Sequence, residues 1–169
     1  MSLFLWEIAK RSSTPIKAAG AYPATLSLVA YTGTNPNHDA RQLILGFTTN
    51  NSEMVYKFYL LDMNEDKPLY KDLGTLCGDQ RFMDRKFEFF SLLDTQVLLT
   101  VSVKSDEVKT YPVVDKISLL DESLKFDTSK IELIKFSFED IEQFDLLPPW
   151  MQRNIELSNE WQELNSTPD

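Results

Sequence analysis

The sequence has little of what most catalytic and metal-binding sites are made of. Its 169 residues include one cysteine, Cys77, and one histidine, His38. A single cysteine excludes an internal disulfide, and His38 stands among turn residues without the ligand spacing of a metal site. No glycine-rich phosphate loop and no G-x-S-x-G nucleophile motif occurs. We therefore expect no enzymatic activity, no metal and no cofactor.

Long apolar runs are missing as well. The N-terminal stretch MSLFLWEIAKRSS has only a short apolar segment, followed by Glu7, whereas a membrane-spanning helix needs about 20 consecutive apolar residues. We expect neither a signal peptide nor a membrane span. A cytoplasmic location is the default, and the single cysteine suits a reducing compartment.

Positive charge is scarce in the last third of the chain. Residues 121–169 hold 12 acidic and 4 basic side chains, so they account for −8 of the net charge of −9. Residues 1–120 are close to neutral, and the total charge therefore says little about what they bind. We predict an N-terminal arm at 1–19, a β-domain at 20–120 and an acidic extension with one or two helices at 121–169.

Between residues 20 and 120, apolar and polar side chains alternate with the period of two that predicts β-strands. The strands fall near residues 22–31, 41–48, 53–61, 95–103 and 108–114, and an apolar stripe at residues 67–77 predicts a short helix between the third and fourth. This is the chain order of an OB-fold, a five-stranded Greek-key barrel. We therefore predict a mainly β protein with an OB-fold-like barrel and a C-terminal helical extension.

The second and third strands form a predicted hairpin around the turn at Thr49–Ser52. By strand parity, one face is assigned to the core: Leu43, Leu45, Phe47, Met54, Tyr56, Phe58 and Leu60. Lys57 and Tyr59 then face outward, together with Gly46, which has no side chain to obstruct a stacked base.

The acidic extension contains two helical signals separated by Pro148-Pro149. Ser137 is suited to cap a helix that ends before the prolines. After the prolines, Trp150, Leu157, Trp161 and Leu164 fall on one stripe of a second helix. The stripe can dock onto the β-domain, or it can serve as a surface for a partner or for self-association. The sequence is compatible with both interpretations.

Four stretches within residues 20–120 carry a resemblance to a known family: GAYPATLSLVAY, QLILGFTTN with MVYKFYLLD, DLGTLCGD, and FFSLLDTQVLLTVSVKSDEVKTYPVVDKI. They resemble the OB-fold single-stranded DNA-binding proteins of phage replication and recombination modules. A glycine expected near Leu93-Asp94 is missing. The resemblance implies sequence-independent binding of single-stranded DNA. It also implies an acidic C-terminal region that recruits replication or recombination proteins and competes with DNA.

Aromatic and basic side chains on the predicted outer faces are the candidate DNA contacts. Tyr31, Tyr59 and Tyr111 are the stacking candidates. The candidate phosphate contacts are Arg41, Lys57, Arg81, Arg85, Lys86, Lys104 and Lys109. The alternative is a non-enzymatic β-barrel structural or protein-interaction module, such as a virion or assembly protein. A basic groove on one side of the barrel would favour the DNA-binding reading.

Overall fold

One long strand organises the fold of this computed structural model, which describes residues 14–37, 40–77 and 88–166. The strands are β1 (Thr14–Pro15), β2 (Gly20–Asn35), β3 (Ala40–Thr49), β4 (Glu53–Leu60), β5 (Gln96–Ser105), β6 (Thr110–Leu119) and β7 (Ile134–Phe136). The α-helices are α1 (Pro68–Cys77), α2 (Pro149–Glu156) and α3 (Asn159–Asn165). Short 3-10 turns lie at Phe89–Leu92, Glu122–Leu124 and Phe144–Leu146.

The long strand β2 holds the sheet together because it changes partners along its length. Residues 20–25 of β2 pair with β5, residues 28–30 pair in parallel with β7, and residues 24–35 pair with β3. The sheet order is β1-β4-β3-β2-β5-β6. Register shifts in the β2–β3 ladder, between Leu26 and Leu28 and between Tyr31 and Gly33, mark irregularities of the kind that bend a strand.

The prediction of a mainly β protein is confirmed, with strands making up 43% of the residues that the structure describes. The predicted order of three strands, a helix and two strands is found from β2 to β6. The five-stranded barrel is not confirmed, because the sheet is open. Within the described part of the chain, β4 and β6 approach each other without pairing.

The inner core lies between the sheet and α1. Leu69, Leu73 and Leu76 of α1 are buried there, as the predicted helical stripe requires. They share this core with inward-facing residues of the central strands, among them Leu43 and Phe47. Since apolar burial is the main driving force of folding, this cluster anchors α1 to the sheet.

The acidic extension covers the opposite face of the sheet. Phe136, Met151 and Ile155 are fully buried there against Leu28 and Ile44. Farther along the extension, the Glu160 carboxylate accepts hydrogen bonds from the backbone N–H of Thr34 at 2.7 and 3.0 Å. The extension therefore docks on the sheet, which was one of the two readings of its apolar stripe. Self-association stays a prediction.

The predicted helices of the extension were wrong in detail. Ser137 and Asp140 pair with each other in an isolated antiparallel bridge, and residues 137–140 form no helix. The second helix is broken at Ser158, whose hydroxyl accepts the Trp161 N–H at 3.2 Å and caps α3. A stripe drawn across this break mixes two helix faces, and Leu157 and Leu164 are accordingly exposed.

Candidate functional site

Tyr59 and Lys57 do not form an outward-facing platform, and this prediction was wrong. Tyr59 is only 5% exposed and lies in the inner core. Its hydroxyl donates to Asp72 Oδ2 at 2.5 Å, and Lys57 Nζ donates to the same oxygen at 2.7 Å. Burial and the neighbouring Asp72 carboxylate raise the pKa of Tyr59 far above its ordinary range. Both candidates therefore serve the contact between β4 and α1.

The physical reason is the hairpin register. Residues directly opposite each other on antiparallel strands point to the same face. Leu43 pairs with Tyr59 and Phe47 with Val55, so odd-numbered residues of both strands face the inner core. The prediction grouped odd residues of one strand with even residues of the other, and a one-residue slip moves every side chain to the opposite face.

Gly46 leaves no room for a base either. A Cβ atom at this position would lie 2.9 Å from Leu28 Cβ and 3.1 Å from the ring of Tyr56. The space above the glycine is thus filled by the protein's own side chains. Here glycine permits close packing of neighbouring strands.

Tyr31 is half-buried in an aromatic cluster. Its ring lies edge-on to Phe89 and Phe90, with centroid distances of 5.8 and 5.7 Å. Burial raises the pKa of Tyr31 to about 12, with Glu88 and Glu139 adding negative charge nearby. This acidic, packed setting is unfavourable for contact with a phosphate backbone.

The remaining basic candidates fall into three groups. Arg41 is exposed at the start of β3, opposite Thr34. Arg81, Arg85 and Lys86 lie outside the described residues. Lys104 and Lys109 lie on the β5–β6 hairpin with Tyr111, and Lys104 is the direct cross-strand partner of Tyr111.

Asp106 holds the turn of this hairpin. Its carboxylate accepts the backbone N–H groups of Val108 and Lys109, each at 2.8 Å. These hydrogen bonds lower the pKa of Asp106, and the one from the Lys109 N–H has the largest effect. The turn therefore presents Lys109 from a fixed backbone.

A cleft of about 1020 Å³ opens between β4 and the β5–β6 hairpin. We call it the edge cleft; its aromatic wall is made by Tyr56, Phe58, Tyr111 and Trp150, and its charged side chains are Lys17, Asp106 and Lys109. Phe58 is 59% exposed and Tyr111 is 37% exposed, so ring surface is available to a ligand. Of the seven predicted contact residues that the structure describes, Lys109 and Tyr111 line this cleft.

Trp150 closes the cleft from the acidic extension. Its ring lies 5.2 Å from Tyr56 and 5.6 Å from Phe58, between ring centroids. Sequence reasoning assigned Phe58 and Tyr56 to the core and Trp150 to a docking stripe, and so missed all three as cleft residues. The alternation within β4 indicated that Tyr56 and Phe58 share one face of the sheet, and that Lys57 and Tyr59 share the other.

The chemical groups of the edge cleft include aromatic rings and lysines. Among residues 14–37, 40–77 and 88–166, no group of three His, Cys, Asp or Glu side chains could hold a metal ion. No helix within those ranges is long and apolar enough to cross a membrane. Exposed rings beside lysines can hold planar groups that carry negative charge.

Comparison with known proteins does not identify the chain: no family model matches it, and no curated protein matches it. The resemblance to phage single-stranded DNA-binding proteins stays a prediction.

Proposed function

We propose that the protein binds single-stranded DNA in the edge cleft, largely independently of sequence. The observation that carries this proposal is the combination of exposed Phe58 and Tyr111 with Lys17 and Lys109 in one cleft. Bases stack on aromatic rings whatever their identity, and lysines follow the phosphates. Stacking and phosphate contacts are sufficient for binding that does not depend on sequence.

The place of the cleft in the sheet supports the same proposal. We assign β2 to β6 to an OB-type barrel that is left open between β4 and β6. OB-folds bind oligonucleotides with their second and third strands and with the loop between the fourth and fifth. In this assignment those parts are β3, β4 and the β5–β6 turn, and the edge cleft lies between the last two.

By its resemblance to phage proteins, we propose a role in replication or recombination in the host cytoplasm. The acidic extension would then recruit protein partners. Its exposed carboxylates, such as Glu139 and Glu142, are available for that purpose.

A protein-interaction module is the second candidate. The observation that favours it is charge, because the described lining of the edge cleft carries two lysines and one aspartate and the whole chain carries −9. The two candidates differ in salt dependence, since phosphate binding weakens steeply as salt rises.

The test is fluorescence anisotropy of a labelled oligo(dT) at several salt concentrations. We expect binding at low salt and a falling affinity as salt rises. Phe58→Ala should weaken binding by about 1–3 kcal/mol, the usual contribution of one stacked base. Lys109→Ala should weaken it and reduce the salt slope by about one.

Matched controls lie close by. Val108, in the same turn as Lys109, is 91% exposed, and Leu119 on β6 is 72% exposed, and neither lines the edge cleft. Val108→Ala and Leu119→Ala should leave affinity unchanged. Absence of oligonucleotide binding by the folded wild-type protein at low salt would overturn the proposal.

A further inference from the structure

A second, smaller pocket of about 370 Å³ adjoins Phe58. We call it the amide pocket, and its key lining residues are Thr32, Asn35, Gln42, Phe58, Asn154 and Ser158. Its volume is at the small end of the range of about 300–1,000 Å³ that is usual for small-ligand sites. Phe58 lines both this pocket and the edge cleft, so the two are neighbours on β4.

The amide pocket is polar but uncharged. Asn35 of β2, Gln42 of β3 and Asn154 of α2 each bring a side-chain amide with a donor and an acceptor, and the Asn35 oxygen also accepts the Asn37 N–H at 2.8 Å. Among the residues that the structure describes, none that lines the pocket carries a charge. Such a lining suits a neutral group with several donors and acceptors of its own, which is the character of a base edge.

Thr32 gives an independent indication of a ligand. The residue is 2% exposed, and its Oγ1 is buried with no hydrogen-bond partner in the described part of the chain. Buried polar atoms are nearly always hydrogen-bonded, and an exception calls for a reason. Because this oxygen has almost no accessible surface, a ligand atom in the pocket that Thr32 lines can supply the missing partner only after the Thr32 side chain rotates toward it.

We propose that the amide pocket receives one nucleobase of a strand bound in the edge cleft and reads its edge. This inference rests on the proposed function. Phe58 provides the ring surface where the strand passes from the cleft to the pocket, and the amides with Thr32 make the hydrogen bonds. Binding is therefore tolerant of sequence at most positions and selective at one.

The experiment compares the affinities of equal-length oligo(dT), oligo(dC) and oligo(dA) by anisotropy at one salt concentration. We expect the wild-type protein to discriminate at least about fivefold between its best and worst homopolymer, the lower limit for a well-paired base contact. Thr32→Val and Gln42→Leu should each reduce this ratio toward one, mainly by weakening the best ligand. Self-stacking of oligo(dA) affects all variants equally, so the change in the ratio is the readout.

Thr32→Val separates loss of recognition from loss of fold. Removing a buried hydroxyl that has no partner should leave the thermal midpoint unchanged or raise it. Ser102 is the matched control, because its Oγ is also buried without a partner in the described residues and it lines neither cavity. Ser102→Ala should keep the wild-type ratio.

Three results would overturn the inference. Equal affinities for the three homopolymers, unchanged by Thr32→Val, would exclude base recognition by the amide pocket but would not contradict the proposed function. An equal loss of discrimination in Ser102→Ala would show that the effect does not come from the pocket. No binding of any homopolymer at low salt would overturn both proposals.

Discussion

Trp150 and Phe58 pack against each other on the outer side of β4, with ring centroids 5.6 Å apart and planes inclined by 53°. Phe58 belongs to the β-hairpin and Trp150 to the acidic extension. The extension therefore builds one wall of the edge cleft. Truncation from Asp121 onward would remove this wall and uncover Leu28 and Ile44, so it is not a clean test of the acidic charge.

The hairpin register predicts a large loss of stability at one aromatic residue of β4 and a small loss at its neighbour. Tyr59→Ala should lower the free energy of unfolding by roughly 3–5 kcal/mol, because a large buried side chain is removed. Phe58→Ala should cost about 1 kcal/mol or less, as is usual for exposed positions. Urea denaturation of both variants measures the difference, and equal losses would contradict this register.

Tyr31 should ionise late. Burial raises its pKa to about 12 in the folded protein, compared with about 10 for an exposed tyrosine. The folded-state pKa is higher than the unfolded-state pKa. The contribution of neutral Tyr31 to the free energy of unfolding is therefore complete below a pH of about 10, and it is lost as the pH rises toward about 12. An ultraviolet titration of phenolate, with Tyr31→Phe as the reference, checks this. A midpoint for Tyr31 near the ordinary tyrosine value would contradict it.

Gly33 should be irreplaceable for docking of the extension. Its φ is +88°, and a Cβ atom there would lie 2.6 Å from Glu160 Oε2 and 2.7 Å from Ser158 Cβ. We expect Gly33→Ala to destabilise the protein by about 1–3 kcal/mol or more, since strain and steric overlap act together. Denaturation monitored by tryptophan fluorescence measures this.

Glu160→Gln is the companion variant, because its amide oxygen can still accept the Thr34 N–H without adding bulk near Gly33. It should cost less than Gly33→Ala. The reverse order would mean that the charge of Glu160, not the space around Gly33, holds the extension in place.

Acidic residues of the extension should weaken DNA binding. We expect the combined change of Glu139, Asp140, Glu142 and Asp145 to their amides to raise the affinity for oligo(dT) at low salt. The gain should shrink at high salt, where screening weakens repulsion. The change at Asp140 also releases Lys135 from an ion pair at 3.5 Å.

Neutralising Asp62, Glu65 and Asp66, in the loop before α1, is the control for total charge, with three acids changed against four in the extension. It should give a smaller gain than the change in the extension. Unchanged or weaker binding by the folded extension variant would instead assign these acids to partner docking.

Local pattern was enough to predict α1 and five of the seven strands of the described residues, but not β1 or β7. Alternation with period two located the five strands from β2 to β6, and the leucines of α1 sat at helical spacing, because these patterns arise within a few neighbouring residues. Side-chain facing was not predictable in the same way. Tyr59 could be assigned inward or outward until its pairing with Leu43 and its contact with Asp72 were known.

The sequence by itself thus determined the mainly β class, the order of elements from β2 to β6 and the concentration of negative charge after residue 120. Only the tertiary structure decided which face of β4 is inner and that Ser158 divides the second helix. It alone brought Trp150 beside Phe58 and placed Lys17 and Lys109 in one cleft. The physical reason is that register, burial and cleft walls depend on contacts between segments remote in sequence, which periodicity within one segment does not encode.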